Sequence, residues 1–143
     1  MGKANRSAPW RLVPFISATG DSQVLDFLNH LKRDDFKAFT QFQKTLRPFF
    51  EERGPLTGEP YWRPEGDALS AIAFKHYRIY CSVESDRRIV MYHAVEKRWP
   101  KFRDGDRQQC KKGRKDLLSD QYDEENRSLL YLANQQRRKR VPS

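Results

Sequence analysis

Two short segments hold most of the side chains that could do chemistry: Tyr77-Arg78-Ile79-Tyr80 and His93-Ala94-Val95-Glu96-Lys97-Arg98. Arginine presents a planar fork of N–H donors that matches two phosphate oxygens at once, and lysine adds a compact positive charge. Histidine changes protonation state near neutral pH, which makes His93 the best candidate for moving a proton. Tyr80 falls two residues after Arg78 and shares its face of a strand, where it could stack on a base or share in proton transfer. Plainer roles exist for each: a cross-sheet salt bridge for Arg78, a hydrogen-bonded core imidazole for His93, a half-buried strand tyrosine for Tyr80. Strand alternation groups His93 with Met91 and Val95, opposite Tyr92 and Ala94, and leaves open which face is core. Lys97 and Arg98 are expected to face solvent, as is His76 in a turn beside Lys75. Trp99 and Phe102 read either as stacking surface or, more often, as aromatic anchors of a loop. Cys81 and Cys110 have no companion at metal-ligand spacing, so neither a metal, a cofactor nor a disulfide framework is expected, and buried thiols are the plain reading.

Lys and Arg total 28 against 19 Asp and Glu, a net +9. Such a balance speaks about partners rather than fold, and it favours a phosphate backbone, an acidic protein or an anionic surface. The excess is concentrated: Arg87 to Lys115 holds eleven basic and three acidic residues. Within that stretch Arg103, Arg107, Lys111, Lys112, Arg114 and Lys115 are the candidate nucleic-acid contacts, against the alternative of a solvated helix face. Arg137-Arg138-Lys139-Arg140 could bind RNA or an acidic partner, or serve only as a solubilising tail. The one apolar run near the N-terminus, Leu12-Val13-Pro14-Phe15-Ile16, is too short for a signal peptide and carries a proline. No stretch is long enough for a membrane span. The expectation is a soluble cytoplasmic protein with no membrane partner.

These residues need elements to position them. At 143 residues with 37 % hydrophobic content, the chain suits one domain with a real core. Residues 1–8 read as a flexible arm, 9–118 as the folded domain, and 119–143 as a helical extension ending in the basic tail. Trp10 to Ile16 reads as a strand at an edge, because Pro14 cannot donate to a ladder. A turn at Thr19-Gly20-Asp21-Ser22 leads into a helix with Val24, Leu25, Leu28 and Leu31 at helical spacing. Asp34 or Asp35 caps a second helix whose stripe is Phe36, Phe39, Phe42, Leu46, Phe49 and Phe50, with Pro48 expected to kink or end its last turn. Gly54, Pro55, Gly58, Pro60, Pro64 and Gly66 make residues 53–67 read as loop. Leu69 to Phe74, Tyr77 to Val83 and Arg88 to Val95 form a meander of three antiparallel strands. From Asp106 the chain turns helical through Leu118, although Gly113 weakens that reading. The class is α+β: an N-terminal strand and helical hairpin on a small antiparallel sheet, helices on one face, with an extra C-terminal helix.

This order, with Tyr77-Arg78-Ile79 entering the middle strand, resembles the RelE/ParE toxin superfamily. Ile89-Val90-Met91-Tyr92-His93-Ala94-Val95-Glu96-Lys97-Arg98 looks like the HigB-like, phage-derived branch, as do Asp106, Cys110 and Arg114 in the following helix. The resemblance covers Trp10 to Leu118. It implies a curved sheet backed by two helices, a cognate antitoxin, and a toxin that cuts mRNA on the ribosome without a metal. Arg78 and Arg98 would then be the phosphate clamp, Lys97 its assistant, and His93 the acid or base, with Tyr80 beside them. The RelE-type lysines on the strand before the Tyr-Arg motif are absent here, since Ala68 to Phe74 carries no cation. A tyrosine expected early in the last helix is absent too. Other branches of the superfamily leave two alternatives: a ParE-type gyrase inhibitor, or a catalytically silent module that binds RNA or protein.

Overall fold

The computed structural model describes residues 9–55, 60–97 and 102–119. The expected N-terminal arm, Arg98, Trp99 and the extension from residue 120 onward lie outside the described residues.

Five strands build one mixed sheet in the order β1-β5-β4-β3-β2. β1 (Arg11–Pro14) runs parallel to β5 (Arg88–Glu96). β5, β4 (Tyr77–Glu84) and β3 (Leu69–Phe74) form the expected antiparallel meander. The α+β class is therefore as the sequence implied, with two corrections. The sheet is mixed because β1 joins in parallel, and it gains a fifth strand, β2 (Trp62–Gly66), within the segment read as loop. Pro64 and Gly66 masked it, and both are tolerable because β2 is an edge strand with a bulge between Pro64 and Gly66. Asp67 and Ala68 turn β2 into β3 with φ of 57° and 61°, the left-handed pair that a tight hairpin requires.

One sheet face is covered by the helical hairpin. α1 (Gln23–Asp34) starts at Ser22, whose side chain accepts the Leu25 N–H, and buries Val24, Leu28 and Leu31. Asp35 caps α2 (Phe36–Thr40) by accepting the Ala38 N–H, and its other oxygen accepts the Tyr77 hydroxyl at 2.7 Å. The helix then widens into a π-helical segment (Gln41–Leu46) before α3 (Arg47–Arg53). Pro48 does not end it early, since the helix runs on to Arg53. Arg47 already donates to the carbonyl five residues back, at Phe42, so the ladder has shifted where Pro48 withholds its N–H. Phe42, Leu46 and Phe50 are buried against Ile72, Phe74, Ile79 and Met91.

α4 (Asp104–Leu117) packs on the opposite face, so the helices do not all lie on one side. It starts two residues before the expected Asp106 and passes straight through Gly113. A Cβ there would sit 2.8 Å from Cδ1 of Tyr92. Glycine lets α4 approach the sheet, and Cys110 and Leu117 then bury against Tyr80, Val90 and Tyr92. Ser82 and Tyr92 share a hydrogen bond of 2.8 Å beneath the helix, and Arg114 reaches Glu84. Both thiols are free and buried, and burial pushes each up, Cys110 to about 12. Among the described residues no helix is long and apolar enough to cross a membrane.

Candidate nucleic-acid interface

α4 covers only part of its sheet face, and the remainder carries the charged side chains. Arg78 and Tyr80 share that face as alternation requires, and Tyr80 pairs directly with His93 on β5. His93 reaches this face by a device the sequence did not reveal. Tyr80 pairs with His93 but Cys81 pairs with Met91, so Tyr92 is an extra residue, a β-bulge. Past the bulge the phase is reset. Tyr92 and His93 both turn toward α4, while Met91 and Ala94 pack on the hairpin side. The expected grouping of His93 with Met91 is thus corrected, and its grouping with Val95 stands.

Beyond the bulge the outer edge of β5 is short of strand partners, because β1 pairs only up to Met91. Gln23 fills the gap: its amide accepts the Ala94 N–H at 2.6 Å and donates to the Ala94 carbonyl at 2.7 Å. One side chain therefore imitates a strand and fixes the backbone beside His93.

His93 is 9 % exposed, and its Nε2 lies 2.8 Å from Oδ1 of Asp106, in the first turn of α4. The pair ties strand to helix and orients the ring. Tyr80 is buried, its ring stacked on Phe102 with centroids 3.8 Å apart and planes 5° from parallel. Arg107 lies over Phe102 at 4.4 Å, so the ring sits between a phenol and a guanidinium. Phe102 is accordingly an anchor. Burial, helped by Glu65 and Asp106, pushes the Tyr80 hydroxyl up to about 12. It is a phenol at neutral pH, able to donate a hydrogen bond but not to act as a base.

Arg78 donates from Nη1 to the carbonyls of Tyr77 and Lys75, at 2.8 and 3.4 Å. Its Nε is buried with no hydrogen-bond partner among the described residues. Burial and the charge of Arg63 hold its pKa below the ordinary arginine value. Burial and Arg78 likewise lower Lys97, which Glu65 opposes. Arg63, Arg78 and Lys97 are close enough to repel one another, and none forms an ion pair among the described residues. Such a group suits an anion that accepts from fixed donors. Among the described residues no cluster of His, Cys, Asp and Glu could hold a metal ion.

Four of the five expected site residues, Arg78, Tyr80, His93 and Lys97, thus meet on one face, and Arg98 lies outside the described residues. The six expected nucleic-acid contacts divide. Arg103, Lys111, Lys112 and Lys115 are exposed. Arg107 bonds the Glu65 carbonyl and the Asp67 carboxylate, both at 2.9 Å, and Arg114 is paired with Glu84. These two hold α4 to the sheet. Arg63 and Glu65 were missed because their strand was read as loop. The His76 side chain is exposed, as expected, 3.9 Å from Glu96, while its backbone carbonyl accepts the Lys97 N–H.

No protein-family model matches the chain, and no curated protein matches it.

Proposed function

We propose that this chain is a cytoplasmic toxin of a type II toxin–antitoxin pair, of the RelE/ParE superfamily and its HigB-like branch, acting as a metal-independent, ribosome-dependent mRNA endoribonuclease. The observation that carries the reading is the convergence of Arg78, Lys97, Tyr80 and His93 on one sheet face, with no ion-pair partner for either cation among the described residues. Without a metal, RNA is cut when a 2′-oxygen attacks its own phosphorus and the bond to the 5′-oxygen breaks. Negative charge grows on the phosphoryl oxygens, and fixed cations lower that barrier. Arg78 is pre-oriented for this by two backbone carbonyls, Lys97 adds a second charge, and the Tyr80 phenol offers a donor. His93, oriented by Asp106, is the group to exchange a proton with the reacting oxygens. Exposed Lys111, Lys112 and Lys115 on α4 extend the positive surface toward mRNA and the ribosome, and an acidic antitoxin covering it would silence the site.

A second reading has one observation in its favour: the His93 ring is largely buried and already engaged by Asp106. A module that binds RNA on the same face without cutting it needs no free imidazole. Primer extension on a defined mRNA in a translating extract separates the two. Discrete, translation-dependent cuts that disappear with Arg78→Ala and fall with His93→Gln support the nuclease. Intact mRNA with RNA still bound supports the silent module, and intact mRNA without binding directs the next test to DNA gyrase.

A further inference from the structure

The third cation of the face comes from β2. Arg63 pairs with Ala71, Ala71 with Tyr80, and Tyr80 with His93, one row across four strands. Paired residues share a face, so Arg63 stands on the same side as Tyr80 and His93. In the next row Ala73 pairs with Arg78. Only the methyl groups of Ala71 and Ala73 therefore separate the long side chains of Arg63 and Arg78, and β3 contributes no charge of its own. Arg63 is exposed and unpaired among the described residues, whereas Arg78 holds a buried N–H with no acceptor. A buried donor without a partner is costly and rare in folded proteins, and here it sits beside two further cations. The edge that carries Arg63 is fixed. Glu65 is the bulged residue of β2, and Arg107 from α4 holds its carbonyl while also pairing with Asp67.

We propose that Arg63 is the third arm of a phosphate-binding site completed by Arg78 and Lys97, taking the phosphate of an RNA strand. The inference rests on the RNA reading of this face for the identity of the ligand, and on the strand geometry for the site. Arg63 supplies an exposed, adjustable guanidinium on one side of the anion, Arg78 a fixed one on the other, and Lys97 a charge at the end of β5. Glu65 is the nearby carboxylate whose field acts on Arg78 and Lys97 before phosphate enters.

The test is nitrogen-detected NMR of the arginine Nε–H groups in the full chain, titrated with inorganic phosphate against sodium chloride at equal ionic strength. Saturable shifts of both the Arg63 and Arg78 signals with phosphate, and none with chloride, are expected. Arg63→Ala should weaken phosphate binding about tenfold, the effect of one charge-assisted hydrogen bond. Arg63→Lys should recover part of that loss, and Lys44→Ala, exposed in the π-helical segment on the hairpin side of the sheet, should leave affinity unchanged. Arg63 is an exposed edge residue, and an unchanged amide spectrum outside the site will show that the variant folds. No saturable phosphate shift, or an Arg63→Ala variant binding as tightly as wild type, overturns the proposal. Phosphate binding that depends on Arg63 in a protein that cuts no RNA would keep the site and remove the nuclease. RNA cutting with phosphate affinity indifferent to Arg63 would do the reverse.

Discussion

Replacing Gly113 by alanine should destabilise the protein, although alanine is the better helix former. Gly113 lies inside α4, where alanine alone would gain about 1 kcal/mol. Against that, its Cβ would lie 2.8 Å from Tyr92 Cδ1, well inside the 3.4 Å where ordinary contact begins. Tyr92 cannot swing away freely. Its hydroxyl shares a hydrogen bond with Ser82, its ring packs 5.5 Å from Phe15, and its backbone is the bulge that turns His93 toward the site. Nor can α4 lift freely, being held by His93–Asp106 and Arg114–Glu84. Overpacking of this kind costs about 1–3 kcal/mol, and a strained Ser82–Tyr92 bond about 1 more. The net loss is about 1–3 kcal/mol, a fall in Tm of about 3–12 °C. Gly105, in the first turn of the same helix, has nothing within 4 Å of its would-be Cβ. Gly105→Ala should leave Tm unchanged or raise it, by up to about 1 kcal/mol of added stability. Thermal unfolding followed by circular dichroism on both variants decides the matter. A Gly113→Ala protein as stable as Gly105→Ala would refute the close approach of α4 to Tyr92, and with it the account of how the site is walled.

Three further outcomes are expected. Asp35 is held below its usual pKa by the Tyr77 hydroxyl and the Ala38 N–H, so its stabilisation is present above the unfolded value, about 4, and is lost as pH falls through the lower folded value; Tm of wild type and Asp35→Ala, compared from pH 7 to pH 2, should converge only at the acid end. Ala68 holds a φ of 61°, and Ala68→Gly should raise stability by up to about 1 kcal/mol in denaturant titrations, because glycine takes that conformation without strain. Substituting the exposed Lys111, Lys112 and Lys115 together by alanine should flatten the dependence of log Kd on log salt for single-stranded RNA, by about 0.7 for each phosphate contact removed; an unchanged slope would leave α4 as a plain solvated helix.

Period-two patterning carried much of this architecture into the sequence. It paired Arg78 with Tyr80 correctly, marked the meander, and the helical stripe from Phe36 to Phe50 marked the hairpin. It failed where a local device resets the phase. The bulge at Tyr92 moved His93 to the face that a strict alternation denied to its neighbour Tyr92, and no residue type announces such a bulge. β2 was hidden because Pro64 and Gly66 resemble loop chemistry, although an edge strand tolerates both; with it went Arg63 and Glu65. Charge alone also overstated the interface. Arg107 and Arg114 look like their exposed neighbours in sequence, yet packing commits them to Asp67, Glu65 and Glu84. The Gln23 clamp on Ala94 left no trace in the pattern, since any polar residue suits the first turn of a helix.

In the proposed reaction Arg78 and its neighbours assist attack of a 2′-oxygen on the adjacent phosphate of mRNA. End-group analysis tests it most directly: purified ribosomes carrying a defined message are treated with the protein, and the termini at the cut are identified. A 5′-hydroxyl on one fragment and a 2′,3′-cyclic or 3′-phosphate on the other are expected, both lost with Arg78→Ala. A 5′-phosphate at the cut, or a message left whole by the wild-type protein, would contradict it.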